Sequence, residues 1–120
     1  MLDEYKRKEI VAEYFRLINE GGTDRVLAMF TENAAIEDPV GEPVRAGRAA
    51  QRDYVRATLE SGARVRTLHA SAGQDGRQVA VPVVVTTGAA VLDAISVFTI
   101  DAAGLIENLR VFSGSARDQD

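Results

Sequence analysis

The chain has 120 residues, 46% of them hydrophobic, with no cysteine, one histidine and a formal charge of -4. That length fits one domain, 1–120, able to bury a sizeable core. The composition excludes disulfides and thiolate chemistry, and the lack of a Lys/Arg cluster argues against nucleic-acid binding.

The N-terminus, Met1-Leu2-Asp3-Glu4-Tyr5-Lys6, is charged and lacks an apolar signal core. No apolar run reaches membrane-spanning length, so a soluble cytoplasmic protein with no membrane partner is expected. Residues from about 3 to 20 read as a helix. Ile10, Val11, Tyr14, Phe15 and Ile18 recur at three- and four-residue spacing, and Gly21-Gly22 ends the run. Thr23 or Asp24 caps a second, short helix that the pattern carries through Phe30, with Val26, Met29 and Phe30 inward.

Next comes Ala34-Ala35-Ile36-Glu37-Asp38-Pro39-Val40-Gly41. Strand side chains alternate, so Ala34, Ile36 and Asp38 share the apolar, inward face. Pro39 holds Asp38 extended, and Val40-Gly41 turns the chain away. One carboxylate is thereby aimed inward from a stiff strand end, where burial is costly unless the group is paired, hydrogen-bonded or used. A third helix spans roughly Arg48 to Glu60, with Ala50, Tyr54, Ala57 and Thr58 inside and Arg48, Arg52, Asp53 and Arg56 solvated.

From there the hydrophobic period changes from 3.6 to 2. Strands are predicted at Val65–Ala72, Gln78–Thr87, Ala89–Ile100 and Leu105–Ser113. Gln74-Asp75-Gly76, Gly88 and Asp101-Ala102-Ala103-Gly104 supply the turns. Pro82 suggests an edge position or a bulge. His69 reads as an ordinary strand residue, since one histidine without carboxylate partners builds no common zinc site. Ser115 to Asp120 reads as a frayed tail. Helices followed by a strand meander give an α+β fold with an apolar pocket at its open end.

The order of elements and the segment Leu27-Ala28-Met29-Phe30-Thr31-Glu32-Asn33-Ala34-Ala35-Ile36-Glu37-Asp38-Pro39-Val40-Gly41 resemble the ketosteroid isomerase branch of the NTF2-like (SnoaL-like) superfamily. Val81-Pro82-Val83 is similar to that family's proline-containing strand, and Phe98–Gly104 to its last hairpin. The resemblance implies a cone of three N-terminal helices on a curved antiparallel sheet enclosing a pocket. It implies a cofactor-free, metal-free enzyme that moves a proton alpha to the carbonyl of an apolar cyclic ketone. Asp38 would be the base and Tyr14 the oxyanion donor. Ser96 stands where the family has a protonated Asp as second donor. Asp93 is three residues away, on the opposite face of a regular strand. Val55 stands where the family has a further pocket tyrosine, with Tyr54 beside it. Phe30, Pro39, Tyr54, Val55 and Phe98 would contact the substrate, and a homodimer through the exposed sheet face is implied. Two alternatives stay open. One is a SnoaL-like polyketide cyclase or epoxide-opening, ring-forming enzyme, with Asp38 deprotonating a hydroxyl and Tyr14 as acid. The other is a non-catalytic small-molecule-binding module.

Overall fold

In the computed structural model, which describes residues 2–118, three helices lie against one curved mixed sheet. Helix α1 spans Glu4–Glu20; the Asp3 side chain caps it by accepting from the Lys6 N–H at 2.7 Å. At its end the Gly21 N–H reaches the Leu17 carbonyl at 2.9 Å with φ at +85°, a conformation suited to glycine. Val11, Tyr14, Phe15 and Ile18 form its buried stripe, as the spacing predicts.

Helix α2 is shorter than its pattern suggests, Thr23–Leu27. Phe30 does not end a helix but opens strand β1, Phe30–Glu37. The chain is already tied to the last strand at Met29, whose carbonyl accepts from the Ile106 N–H at 2.8 Å. Long-range pairing overrides the local helical signal. Ala34 and Ile36 are buried, and Asp38 follows on the same side.

Strand β2 is Arg45–Ala46 and helix α3 is Arg48–Glu60. The bounds of α3 match expectation, but its buried face does not. Gln51 and Val55 are buried, Tyr54 and Thr58 are half-buried, and Ala57 is exposed. Gln51 goes inside because its amide lies within hydrogen-bond distance of the Thr31, Glu32 and Ala34 carbonyls at 3.0, 3.3 and 3.1 Å. Those carbonyls belong to a bulge in β1, where residues 31–34 step out of register with the neighbouring strand. Arg48 is not a purely solvated residue either. It donates to the Leu27 and Phe30 carbonyls and to Gln51 Oε1.

The remaining strands are β3 (Arg64–Thr67), β4 (Ser71–Ala72), β5 (Gln78–Thr87), β6 (Ala90–Ile100), β7 (Ile106–Ser113) and β8 (Arg117–Asp118). The main order is β2-β1-β7-β6-β5-β3, with β4 on β5 and β8 on β6. The expected antiparallel sheet is corrected in one place: β1 and β7 run parallel. Periodicity within a strand carries no information about a partner some 70 residues away.

The predicted strand over Val65–Ala72 is broken at Leu68-His69-Ala70, so His69 is exposed between strands rather than in one. The break faces Pro82. Strand β5 is interior, paired on both sides, and its register with β6 is unbroken from Gln78–Thr99 to Thr87–Ala90. The Pro82 carbonyl accepts from the Leu68 N–H at 2.8 Å, so its missing N–H falls on the side where β3 has stopped. The tail is also corrected: β8 pairs with Ala90 and Val91, and Arg117 bonds the Asp93 carboxylate. Residues 119–120 of the expected frayed end lie outside the described residues.

Candidate functional site

Between α1, α3 and the concave sheet face lies a cavity of about 240 Å³. Its walls are apolar, with Phe15, Ile18, Val83, Val85, Leu92, Ala94, Leu109 and Val111. Thr58, Ser61, Thr87 and Ser113, half-buried or exposed, bring hydroxyls to its outer part. Helical spacing put Thr58 inside, but no signal in the sequence singled out Ser61, Thr87 or Ser113, because isolated Ser and Thr at strand and helix ends are unremarkable locally.

Four polar side chains stand inside: Tyr14, Asp38, Tyr54 and Ser96. The sheet fixes two of them in one row. Glu37 pairs with Arg110, so Asp38 comes level with Val111 on β7, and the Val40 N–H binds the Val111 carbonyl at 2.7 Å. Val111 in turn pairs with Ser96 on β6. Asp38 and Ser96 therefore flank one valine, about 10 Å apart at ordinary strand spacing. Glu37, on the other face, is held by Arg110 at 3.0 Å.

Tyr14 reaches the site from α1. Its ring meets those of Phe15, Phe30 and Phe98 edge-on, with centroids 5.1, 5.8 and 5.3 Å away. Phe30 and Phe98, expected to touch substrate, are instead in the core behind Tyr14 and do not line the cavity. Val55 is core as well, and Pro39 is exposed outside the lining. Of the five expected substrate contacts only Tyr54 faces the cavity. Its hydroxyl donates to Asp38 Oδ2 at 2.5 Å. The resemblance places the pocket tyrosine at Val55, which is core; Tyr54 beside it, expected on the inner face of α3, faces the cavity.

The Tyr14 hydroxyl has no hydrogen-bond partner among the described residues, and neither does that of Ser96. Yet no buried side-chain oxygen or nitrogen is left orphaned. Both hydroxyls therefore open to the cavity. The same holds for Asp38 Oδ1, since among the described residues Asp38 accepts only from Tyr54. Burial pushes the Asp38 carboxyl above its ordinary range; the Tyr54 hydrogen bond and the Arg45 charge work against that rise. Burial, with the Asp38 charge added, pushes the Tyr14 phenol up. Tyr54 is raised too, by burial first and then by Tyr14 and Asp38.

Asp93 is exposed on the outer face and paired with Arg117, and no bulge near it turns it inward. Among the described residues no three His, Cys, Asp or Glu side chains gather as a metal site. Nor, among the described residues, is any helix long and apolar enough to cross a membrane. The arrangement offers one carboxylate oxygen to accept a proton, one buried phenol to stabilise or protonate an oxygen, and apolar walls around them.

A model of the SnoaL-like domain family matches residues 11–108. The epoxide hydrolase LasB of Streptomyces lasalocidi is 30% identical over 94% of this chain, which spans about half, 49%, of that protein. The steroid delta-isomerase of Nocardioides simplex is 33% identical over 88% of this chain and 87% of its own length. Among solved structures, the epoxide hydrolase/cyclase-like enzyme SalBIII superposes with a TM-score of 0.92. It is 48% identical over 95% of each chain, and is described as acting in pyran ring formation in the polyether salinomycin. The similarities extend to both kinds of enzyme and do not single out the isomerase branch.

Proposed function

The chain belongs to the SnoaL-like domain family, and on that premise we propose that it is an acid–base enzyme that closes an ether ring. A hydroxyl of an apolar substrate would add to an epoxide of the same molecule. The observation that carries this reading is one open oxygen of Asp38 and the free hydroxyl of Tyr14 facing a single apolar cavity, with no second carboxylic acid among its lining residues. A steroid isomerase of the family pattern needs that second acid as a donor. Here its place holds Ser96, a weaker one, and Asp93 is outside.

The steps balance without any co-reactant. Asp38 takes the proton of the attacking hydroxyl. The new C–O bond forms as the epoxide C–O bond breaks, and the electron pair stays on the released oxygen. Tyr14 hydrogen-bonds that oxygen and delivers a proton to it, since an alkoxide is a stronger base than even a buried phenolate. Protonated Asp38 then returns its proton to Tyr14. Desolvation makes Asp38 a stronger base, and the dry walls favour the internal hydroxyl over bulk water. The likeness to SalBIII and LasB supports the same reaction class. The absence of cysteine and the single exposed histidine support a reaction needing no metal or organic cofactor.

The test offers the purified protein, after dialysis against chelator, a racemic apolar hydroxy-epoxide and, separately, a β,γ-unsaturated ketosteroid. A cyclic ether from the first, formed about two orders of magnitude more slowly by Tyr14→Phe, is the expected result. Rapid dienone formation from the ketosteroid with no cyclic ether would overturn it in favour of isomerisation.

We also propose that the protein pairs with a second copy through the outer sheet face. Leu68, Ile95 and Phe112 are 46%, 47% and 42% exposed there, and Ile95 and Phe112 are direct cross-strand partners. Sedimentation should give a dimer that Ile95→Lys splits; a monomeric wild type refutes it.

A further inference from the structure

We propose that Tyr54 is a positioning residue that fixes Asp38 by one oxygen, so that only Oδ1 acts as the base. This rests on the reading of Asp38 above, and it departs from the expectation that Tyr54 contacts substrate.

Three observations carry it. First, the backbone around Asp38 is held from the sheet side, while its carboxylate is held only from the helix side. Val40 binds the Val111 carbonyl and Glu37 is tied to Arg110, both contacts of the sheet. Among the described residues, the one hydrogen bond to the Asp38 carboxylate is that of the Tyr54 hydroxyl on α3. Residues 41–46, which follow, are all exposed and contribute no side-chain hydrogen bond to it. Without Tyr54 the carboxylate would be free to rotate about its own side-chain bonds.

Second, of the two tyrosine hydroxyls in the cavity, Tyr54's is committed and Tyr14's is not. A hydroxyl already donating its only proton to a carboxylate cannot also donate to a substrate oxygen. The two phenols therefore have different tasks. Tyr14 is available to the reacting oxygen, and Tyr54 serves the base.

Third, α3 is anchored by the same elements that carry Asp38. Gln51, one turn before Tyr54, holds the carbonyls of the β1 bulge. Helix α3 and the strand that leads to Asp38 are thus tied directly to each other, and that link holds Tyr54 within reach of Asp38. A single fixed oxygen makes proton removal directional, because the substrate hydroxyl must approach Oδ1 from the cavity.

The charged and titratable groups facing Asp38 are Tyr14 from α1, Tyr54 from α3 and Arg45 from β2. Removing the Tyr54 donor takes away one of the two influences that lower the Asp38 carboxyl, so it should titrate at higher pH.

Tyr54→Phe keeps the ring and removes only the hydroxyl. Two readouts decide. Carboxyl-carbon NMR, with the Asp38 resonance assigned by its loss in Asp38→Asn, needs no substrate. It should show Asp38 titrating at higher pH in Tyr54→Phe than in the wild type; an unchanged titration overturns the proposal. On the hydroxy-epoxide, kcat should fall about ten- to a hundredfold with KM unchanged, and the acid limb of the kcat profile should move to higher pH. A raised KM with an unmoved limb would make Tyr54 a substrate contact and overturn it as well. If Asp38→Asn keeps full ring-closing activity, the reading of Asp38 as base fails, and with it the role of Tyr54, even where the NMR shift is seen. A normal loss in Asp38→Asn with no NMR shift condemns the Tyr54 proposal alone.

Discussion

Two sets of buried polar side chains occupy this small interior, and they are treated in opposite ways. Arg7 is 2% exposed, and its guanidinium donates to the Leu2, Gln78 and Gly73 carbonyls at 3.2, 2.8 and 2.9 Å. Gln51 is fully buried, with its amide nitrogen against three carbonyls and its amide oxygen accepting from Arg48. These groups spend their hydrogen bonds on the backbone. The Arg7 set ties the start of α1 to the turn before β5, and the Gln51 set holds the β1 bulge. Across the cavity, Tyr14 and Ser96 are buried as deeply, yet their hydroxyls are left open, as is one oxygen of Asp38. Fully matched polar groups hold a fold together, while polar groups left unmatched in a dry wall remain available to a ligand.

The sharpest way to break that contrast is Asp38→Asn. Loss of a positioned general base should cut turnover by roughly two to four orders of magnitude. Stability should move the other way. Burial raises the folded-state pKa of Asp38, so the folded protein binds its proton more tightly than the unfolded chain. Stability from this group is full below the ordinary carboxylate pKa and falls as pH rises through the raised one. Asp38→Asn should therefore melt higher than wild type at neutral pH, with the gain vanishing in acid. The wild-type acid limb of activity should lie above the ordinary carboxylate range. A variant that melts lower at neutral pH would show Asp38 to be structural.

Arg7→Met probes the opposite set. It removes three hydrogen bonds, although the Gln78 and Gly73 carbonyls keep the Gly73 and Gly76 N–H donors, and should destabilise the protein by about 2 kcal/mol, read from urea midpoints. Turnover per folded molecule should be unchanged, because Arg7 touches nothing in the cavity. A catalytic defect without loss of stability would erase the distinction between the two sets.

The smallest effect is expected from Ser96→Asp. It puts a second carboxyl in the row of Asp38 and Val111. Ring closure should slow severalfold, and the acid limb should move up as like charge opposes Asp38 ionisation. A gain in ketosteroid isomerisation, followed by dienone absorbance, would instead show that a neutral acid at this position restores the isomerase pattern.

The sequence by itself determined the three helices and the long strands, the inward parity of Asp38, and the outward parity of Asp93. Each depends on a local period or on one proline, and both are written in neighbouring residues. Helix α1 with its Asp3 and Gly21 caps, and the long strands β5 and β6, were legible for the same reason. The face of α3 was legible only in part: Tyr54 and Thr58 do face the cavity, but the burial of Gln51 and Val55 was missed. A glutamine scores as polar until a bulged strand offers it three carbonyls, and only then does it turn inward. Nor was the parallel pairing of β1 with β7 legible, or the start of that strand at Phe30, since both are set by hydrogen bonds to residues far along the chain. The roles of Phe30 and Phe98 behind Tyr14, rather than against a ligand, were decided the same way. An aromatic side chain's residue type says that it will be buried; which side of a cavity wall it occupies is settled only by the packing of separate elements.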